Sequence, residues 1–440
     1  MKIVALCGLL GYGYSEQALK IAFSEKVDYV GVDAGSTDPG PYYLGSGKSF
    51  TDRNAVKRDL SLALPLCLEQ KAPFIIGTAG GAGGNVHTDW LVEIIKEIAK
   101  EQRLSFKLAT IYSEVDKTYL LEKVNQNKII DMSPEFSLTK ENIENSSRIV
   151  SQIGVAPILK ALEQKAEVIV CGRACDTAIY SAPCIYNGYD HGLAFHMAKI
   201  MECGAMCSEP VAAADVMQAY IEKDSFSLRP ANPIRKCTLS RVAAHTMYEQ
   251  TNPYMIYEPD GVVDLRDTIY EQVDERTVRV KNSKFTPAKN KTLKLEGVKS
   301  VGFRTISIGA IYDANTIEHL PQIQDTVSAF VKENSKINQS DYTLNFRSYG
   351  SSSSNACVIV DVVGKTQDIA DTICALARSR ILHCDYQGRK STAGNLAFPF
   401  SPSDIHVGEV FEFSVFHLAQ VDSLEETAKT IYSEINYETN

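Results

Sequence analysis

A strand-like apolar run, Val168 to Cys171, leads straight into Gly172, Arg173 and Asp176 and then towards a long helical segment. An α/β protein presents polar groups in this way, at the carboxyl end of a buried strand. Gly172 lets the backbone turn sharply, while a guanidinium and a carboxylate face the crevice in which ligands bind. Arg173 is expected to clamp a carboxylate or phosphate through two parallel hydrogen bonds. Asp176 is expected to serve as a general base once burial and neighbours set its pKa. The alternative is a structural Arg–Asp pair that only fixes the loop. Cys175 reads as a small residue filling space, because no neighbour activates it.

A second candidate is the loop GTAGGAGGN, Gly77 to Asn85, between a strand and a helix. Gly80, Gly81, Gly83 and Gly84 allow close backbone approach, and the helix start offers unpaired N–H groups to an anion. Asn85 and His87 are expected to reach the same cleft, and Asp89 reads as a capping residue. The spacing fits neither a Walker loop nor a strict dinucleotide fingerprint. GLLGYG, Gly8 to Gly13, is a looser match, with Asp33 roughly where a ribose-binding acid sits, about 20 residues on. An NAD-linked oxidoreductase depends on that loop and Asp33. Asp33 is also the first residue of DAGSTD, a polar loop at the end of the second strand.

The segment His191 to Cys207 places His196, Lys199, Cys203 and Cys207 along one helix face, with Glu202 on a neighbouring stripe. His196 and Cys203 are two turns apart, too far for the usual three- or four-residue spacing of metal ligands on a helix, so no metal site is expected. His191 or His196 is expected instead to be the acid–base partner of Asp176. His245 and Glu249 stand at i and i+4, an ordinary hydrogen-bonding distance. Arg304 lies within a strand, and Asn395 in a turn-rich segment that could cover a cleft.

The elements that must position these residues alternate in the first half. Strands near Ile3–Cys7, Tyr29–Asp33, Pro73–Gly77, Phe106–Tyr112 and Glu167–Cys171 are separated by helical stretches. This predicts a mostly parallel sheet with helices on both faces over residues 1–230. Residues 231–440 read as a mixed α+β region, with a compact strand–strand–helix–strand part from about 335. The stretch SYGSSSSN, Ser348 to Asn355, reads as a flexible loop.

At 440 residues the chain is long enough for two or three domains. A net charge of −9 with no Lys/Arg run argues against sequence-independent nucleic-acid binding, which needs a basic surface. No stretch approaches the ~20 apolar residues of a membrane span, and the start lacks a signal-peptide pattern. A cytoplasmic protein is expected. The eleven cysteines include no CxxC pair and read as buried free thiols rather than a disulfide framework.

Taken together, several segments resemble the acyclic terpene utilisation (AtuA) family over nearly the whole chain. They are IIGTAGGAGG with HTDW, CGRACD, HGLAFHMAKIMECGA, VAAHTMYE, YEQVDERTVRV, VGFRTISI and GNLAFPFSPSDI. The resemblance implies an N-terminal α/β domain and a ferredoxin-like C-terminal region. The family's motif positions fall on Gly80, Gly81, Gly83, Gly84, Arg173, Asp176, His196, Glu202 and Cys203. After Tyr349 and Gly350 the chain departs from the expected glycine-rich loop. The resemblance implies catabolism of terpenoid or other carboxylates through coenzyme A thioesters, in some relatives beside a small companion protein; no cofactor is identified. The expected activity is a lyase or hydratase acting on a small carboxylate or its acyl-thioester, in a homo-oligomer. Arg173 and the glycine loop would hold the anion, Asp176 would take a proton, and His196 would protonate the leaving group. The competing expectation is a non-catalytic subunit or ligand-binding module.

Overall fold

The computed structural model describes residues 1–133, 136–350, 355–390 and 394–437. The serines at 351–354, within the loop expected to be flexible, lie outside the described residues. The chain forms two compact units, Met1–Val298 with Phe413–Asn440, and Lys299–Glu412. It passes from the first to the second within the strand Thr292–Ile311 and returns within Asp404–Gln420.

The first unit is built on a ten-stranded sheet. Its centre is five parallel strands in the order Lys2–Ala5, Tyr29–Asp33, Phe74–Gly77, Val168–Cys171 and Ser105–Tyr112. These strands are mostly apolar and buried because both faces are covered. Alternate residues feed two cores. Ile3, Ala5, Ile75 and Ile169 pack with the helices Ala156–Glu163, Ala178–Tyr186 and His191–Met201. Val4, Val30, Ile76 and Val168 pack with Glu16–Ala22, Arg53–Glu69 and Asn85–Gln102.

Both flanks of the sheet are antiparallel, so the sheet as a whole is mixed rather than mostly parallel. Met217–Ile221 pairs with Lys2–Ala5 and is followed across the sheet by Ser225–Pro230, Val278–Lys281 and Ile269–Gln272. On the other edge Lys429–Asn436 pairs with Ser105–Tyr112. Chain length explains the switch. Ile221 and Ser225 are joined by a tight connection, closed by Glu222 N donating to Ser225 O, and a parallel crossover needs a dozen or more residues. The boundary expected near residue 230 therefore falls inside this sheet. A small antiparallel sheet, Met255–Glu258, Gly261–Asp264 and Lys284–Pro287, completes the unit with Phe285 stacked on Phe195.

The second unit runs strand, helices Ala314–Glu318 and Leu320–Asn334, strands Tyr342–Tyr349 and Ala356–Gly364, helix Gln367–His383, strand. The strand order is Tyr342–Tyr349, Ala356–Gly364, Thr292–Ile311, Asp404–Gln420, and the first two pairings are antiparallel. Val358, Val360 and Val362 meet Ile323, Val327, Ile373 and Ala377 in its core. The unit thus starts well before residue 335, because its first strand and helix pair are needed to bury that sheet face. Among the described residues no helix is long and apolar enough to cross a membrane, and no group of three or more His, Cys, Asp and Glu is placed to hold a metal.

Candidate active site

In the first unit, segments following three parallel strands meet backbone to backbone, and glycine makes this possible. A Cβ on Gly35 would lie 2.3 Å from Gly81 Cα, and one on Gly83 would lie 2.2 Å from the Arg173 nitrogen. Gly83, at φ +69°, also accepts a 3.1 Å hydrogen bond from Arg173 N through its carbonyl. This packing carries Asp33 and Asp176 to one cleft of about 290 Å³. Its polar lining is Asp33, Asp176 and Glu202, with Asp38 and Glu249. Leu9, Tyr12, Phe50, Met206 and Tyr248 supply an apolar wall.

The expected anion loop and the looser GLLGYG match are both occupied by the chain's own acids. Asn85 N, at the start of its helix, donates to Glu114 Oε2 at 2.8 Å, and Gly81 N and Gly83 N are spent on Thr78 O and Ala79 O. In the first loop Gly11 N and Gly13 N donate to Asp59 Oδ2 at 3.0 and 3.1 Å. A helix start or a glycine turn does attract a carboxylate, and here Glu114 and Asp59 satisfy it. Gly80, Gly81, Gly83, Gly84 and Asn85 are absent from the cleft lining; the glycines serve close packing. His87 is buried and donates through Nε2 to Tyr43 O and Lys48 O, which ties down residues 43–48.

Arg173 is not a free clamp. Its side chain is buried; Nε donates to Glu296 Oε2 at 2.7 Å and Nη1 to Ala174 O at 2.9 Å. Asp176 Oδ1 lies 3.5 Å from Nη1. A buried guanidinium requires a counter-charge, and Glu296 provides it from the strand Thr292–Ile311. Burial pushes the Glu296 carboxyl up, but Arg173 and Lys294 outweigh it and hold it at about 2. The sequence signal for Glu296 is faint: an acid in the apolar alternation Leu293, Leu295. Lys199 pairs with Glu202 three residues on, a spacing legible on any helix, and lies 3.8 Å from Glu249.

The cleft carboxyls are displaced together. Burial and then Asp176 push Asp33 well above the usual carboxylate range. Burial raises Asp176 too, against Arg173 and Lys199. Glu202 is pushed up to about 8 by burial, with Lys199 opposing and Asp176 adding. Behind them Glu258, a residue that pattern reading missed, accepts hydrogen bonds from Thr177 Oγ1 at 2.7 Å and Cys175 Sγ at 3.1 Å. Burial pushes Glu258 up to about 7.

His196 does not partner Asp176. It is fully buried, with Nδ1 2.7 Å from Ser283 Oγ and Nε2 2.9 Å from Thr246 Oγ1. Burial drives it down to about 3, so it stays neutral and braces the core. His191 lies against Phe285. Arg304 and Asn395 belong to the second unit. Arg304 Nε is 2.9 Å from Asp361 Oδ1. Asn395 Nδ2 donates to Ile381 O and Cys384 O, both at 2.9 Å, and closes the end of the helix Gln367–His383.

Fold and site together define an α/β protein with a cleft of carboxyls, raised in proton affinity by burial, beside the ends of its parallel strands. The family model described as "Acyclic terpene utilisation family protein AtuA" matches residues 15–228 and 229–395. The chain belongs to that family. No curated protein and no solved structure matches it.

Proposed function

We propose that the protein is a hydratase or lyase that moves water on or off an acyl-thioester. The observation that carries this reading is the convergence of Asp33, Asp176 and Glu202, all displaced upwards, in one cleft. Carboxyls in a cleft whose proton affinity burial raises are the usual working parts of acid–base catalysis near neutral pH. Asp176, partly exposed and beside Arg173, is the base; Asp33, more deeply buried, is the acid. In hydration Asp176 takes a proton from water as its oxygen bonds to the β-carbon of an unsaturated acyl group. Asp33 then gives its proton to the α-carbon, and exchange with solvent restores both groups.

The charge of the cleft selects the substrate. Among the described residues its lining contains carboxyls and no cation, while Arg173 and Lys199 are paired with Glu296 and Glu202. A free carboxylate would meet like charge there, whereas the neutral acyl end of a thioester would not. Leu9, Tyr12, Phe50 and Met206 suit a hydrocarbon chain, in keeping with a family linked to terpene utilisation. For the second unit we retain the ferredoxin-like reading, supported by its element order, and assign it no part in the chemistry.

The test is mass spectrometry of acyl-thioesters and free carboxylates incubated with purified protein. A thioester should gain or lose the mass of water. Asp176→Asn should lower turnover by roughly 10²-fold or more, the scale of a general base. Undiminished turnover in that variant would remove the assignment. Thioester binding without turnover, with activity restored by a companion protein, would favour a non-catalytic subunit.

A further inference from the structure

Against the strand that carries Asp33 lies a tyrosine that the proposed chemistry leaves unused. Tyr180, on the helix Ala178–Tyr186, is fully buried, and its hydroxyl has no hydrogen-bond partner among the described residues. Its ring lies against the backbone of Gly31, where a Cβ would be 2.4 Å from Cε1. Gly31 and Asp33 are two residues apart on one strand, so they share a sheet face. The groups acting electrostatically on the phenol are Asp33, Cys7, Glu202 and Cys203, with Asp33 the strongest. The Asp33 side chain accepts a single long hydrogen bond, 3.4 Å from Gly35 N. A donor without an acceptor therefore shares a sheet face with a carboxyl that, among the described residues, has one weak donor. Packing alone calls for phenylalanine at this position, since a buried unpaired hydroxyl is destabilising.

We propose that Tyr180 is a positioning residue whose hydroxyl donates a hydrogen bond to Asp33 whenever that carboxyl is ionised. The inference rests on the reading of Asp33 as the acid. Once Asp33 has delivered its proton, the phenol steadies the carboxylate until a proton returns. Tyr180 itself remains neutral, because burial and then Asp33 hold its proton firmly. The other charges facing Asp33 are Asp176 and Arg173 from the loop after Cys171, and Glu202 from the end of the neighbouring helix.

Tyr180→Phe deletes only the hydroxyl and keeps the ring. Infrared titration of the protonated carboxyl band, with Asp33→Asn identifying its share, reads Asp33 directly in the absence of substrate. In Tyr180→Phe the Asp33 band should persist to higher pH, because the ionised form loses its donor. Thermal stability should be unchanged or raised. Turnover of a thioester should fall roughly 10- to 100-fold, the factor carried by a hydrogen bond to a charged group, with the pH–rate profile displaced in the same direction. Identical Asp33 titration in wild type and variant would overturn the proposal. A displaced titration in a protein that turns over no thioester would uphold the Tyr180–Asp33 link and remove the catalytic reading instead.

Discussion

Two charged clusters, one in each unit, use the same residue types in opposite proportions. In the second unit a single carboxylate, Asp361, is shared by the guanidiniums of Arg304 and Arg347, at 2.9 and 3.1 Å. Those three residues brace three neighbouring strands, as cross-strand ion pairs do. In the first unit Asp33, Asp176 and Glu202 crowd one cleft, and of the two nearby cations Arg173 is already neutralised by Glu296. Where cations outnumber acids, the cluster is structural. Where acids outnumber cations and the carboxyls are buried, their proton affinity rises, and in the proposed chemistry they exchange those protons. In the proposed reading the ratio and the burial carry the function, and the presence of an Arg–Asp pair does not.

The comparison breaks most readily at Glu296. Glu296→Ala would leave Arg173, 4% exposed at its side chain, without its closest counter-charge. An uncompensated buried charge of this kind costs about 3–5 kcal/mol, measurable by denaturant unfolding. A loss below about 1 kcal/mol would mean that Asp176 alone holds Arg173 and that the two clusters are alike.

A smaller effect, in pH rather than magnitude, sharpens the contrast. The folded protein keeps the Glu202 proton up to about pH 8, whereas the unfolded chain releases it near the ordinary 4.5. Stability is therefore lost as pH rises from 4.5 through about 8, and Glu258 adds a window ending at about 7. Glu296 has the opposite sign: its contribution is lost as pH falls from 4.5 through about 2. Thermal melts against pH should show the alkaline decline in wild type and a flatter course in Glu202→Gln. An equally steep decline in the variant would deny Glu202 its buried proton.

The smallest effect belongs to the second unit. Arg347 is 55% exposed at its side chain, so Arg347→Ala should cost only about 0–1 kcal/mol and leave turnover unchanged. A loss of turnover in that variant would give the second cluster a role in the chemistry.

Much of the make-up of the candidate site is legible in the sequence. Asp33 and Asp176 stand at the ends of recognisable strands, and Lys199 and Glu202 have helical i, i+3 spacing. Other assignments failed for a common reason. Arg173 reads as a ligand clamp until its partner Glu296 is known, 123 residues away. The glycine loops read as anion cradles, and they do hold anions, but those of Glu114 and Asp59. His196 resembles an acid–base histidine in sequence and is a core residue held by Ser283 and Thr246.

The sequence by itself determined which faces are apolar, where parallel strands end and which polar residues stand there, because periodicity and turn chemistry act over a few residues. Tertiary structure alone decided which charge is neutralised and which is left holding a proton. A carboxyl's proton affinity depends on burial and on neighbours within a few ångströms, and those neighbours come from segments that only folding brings together.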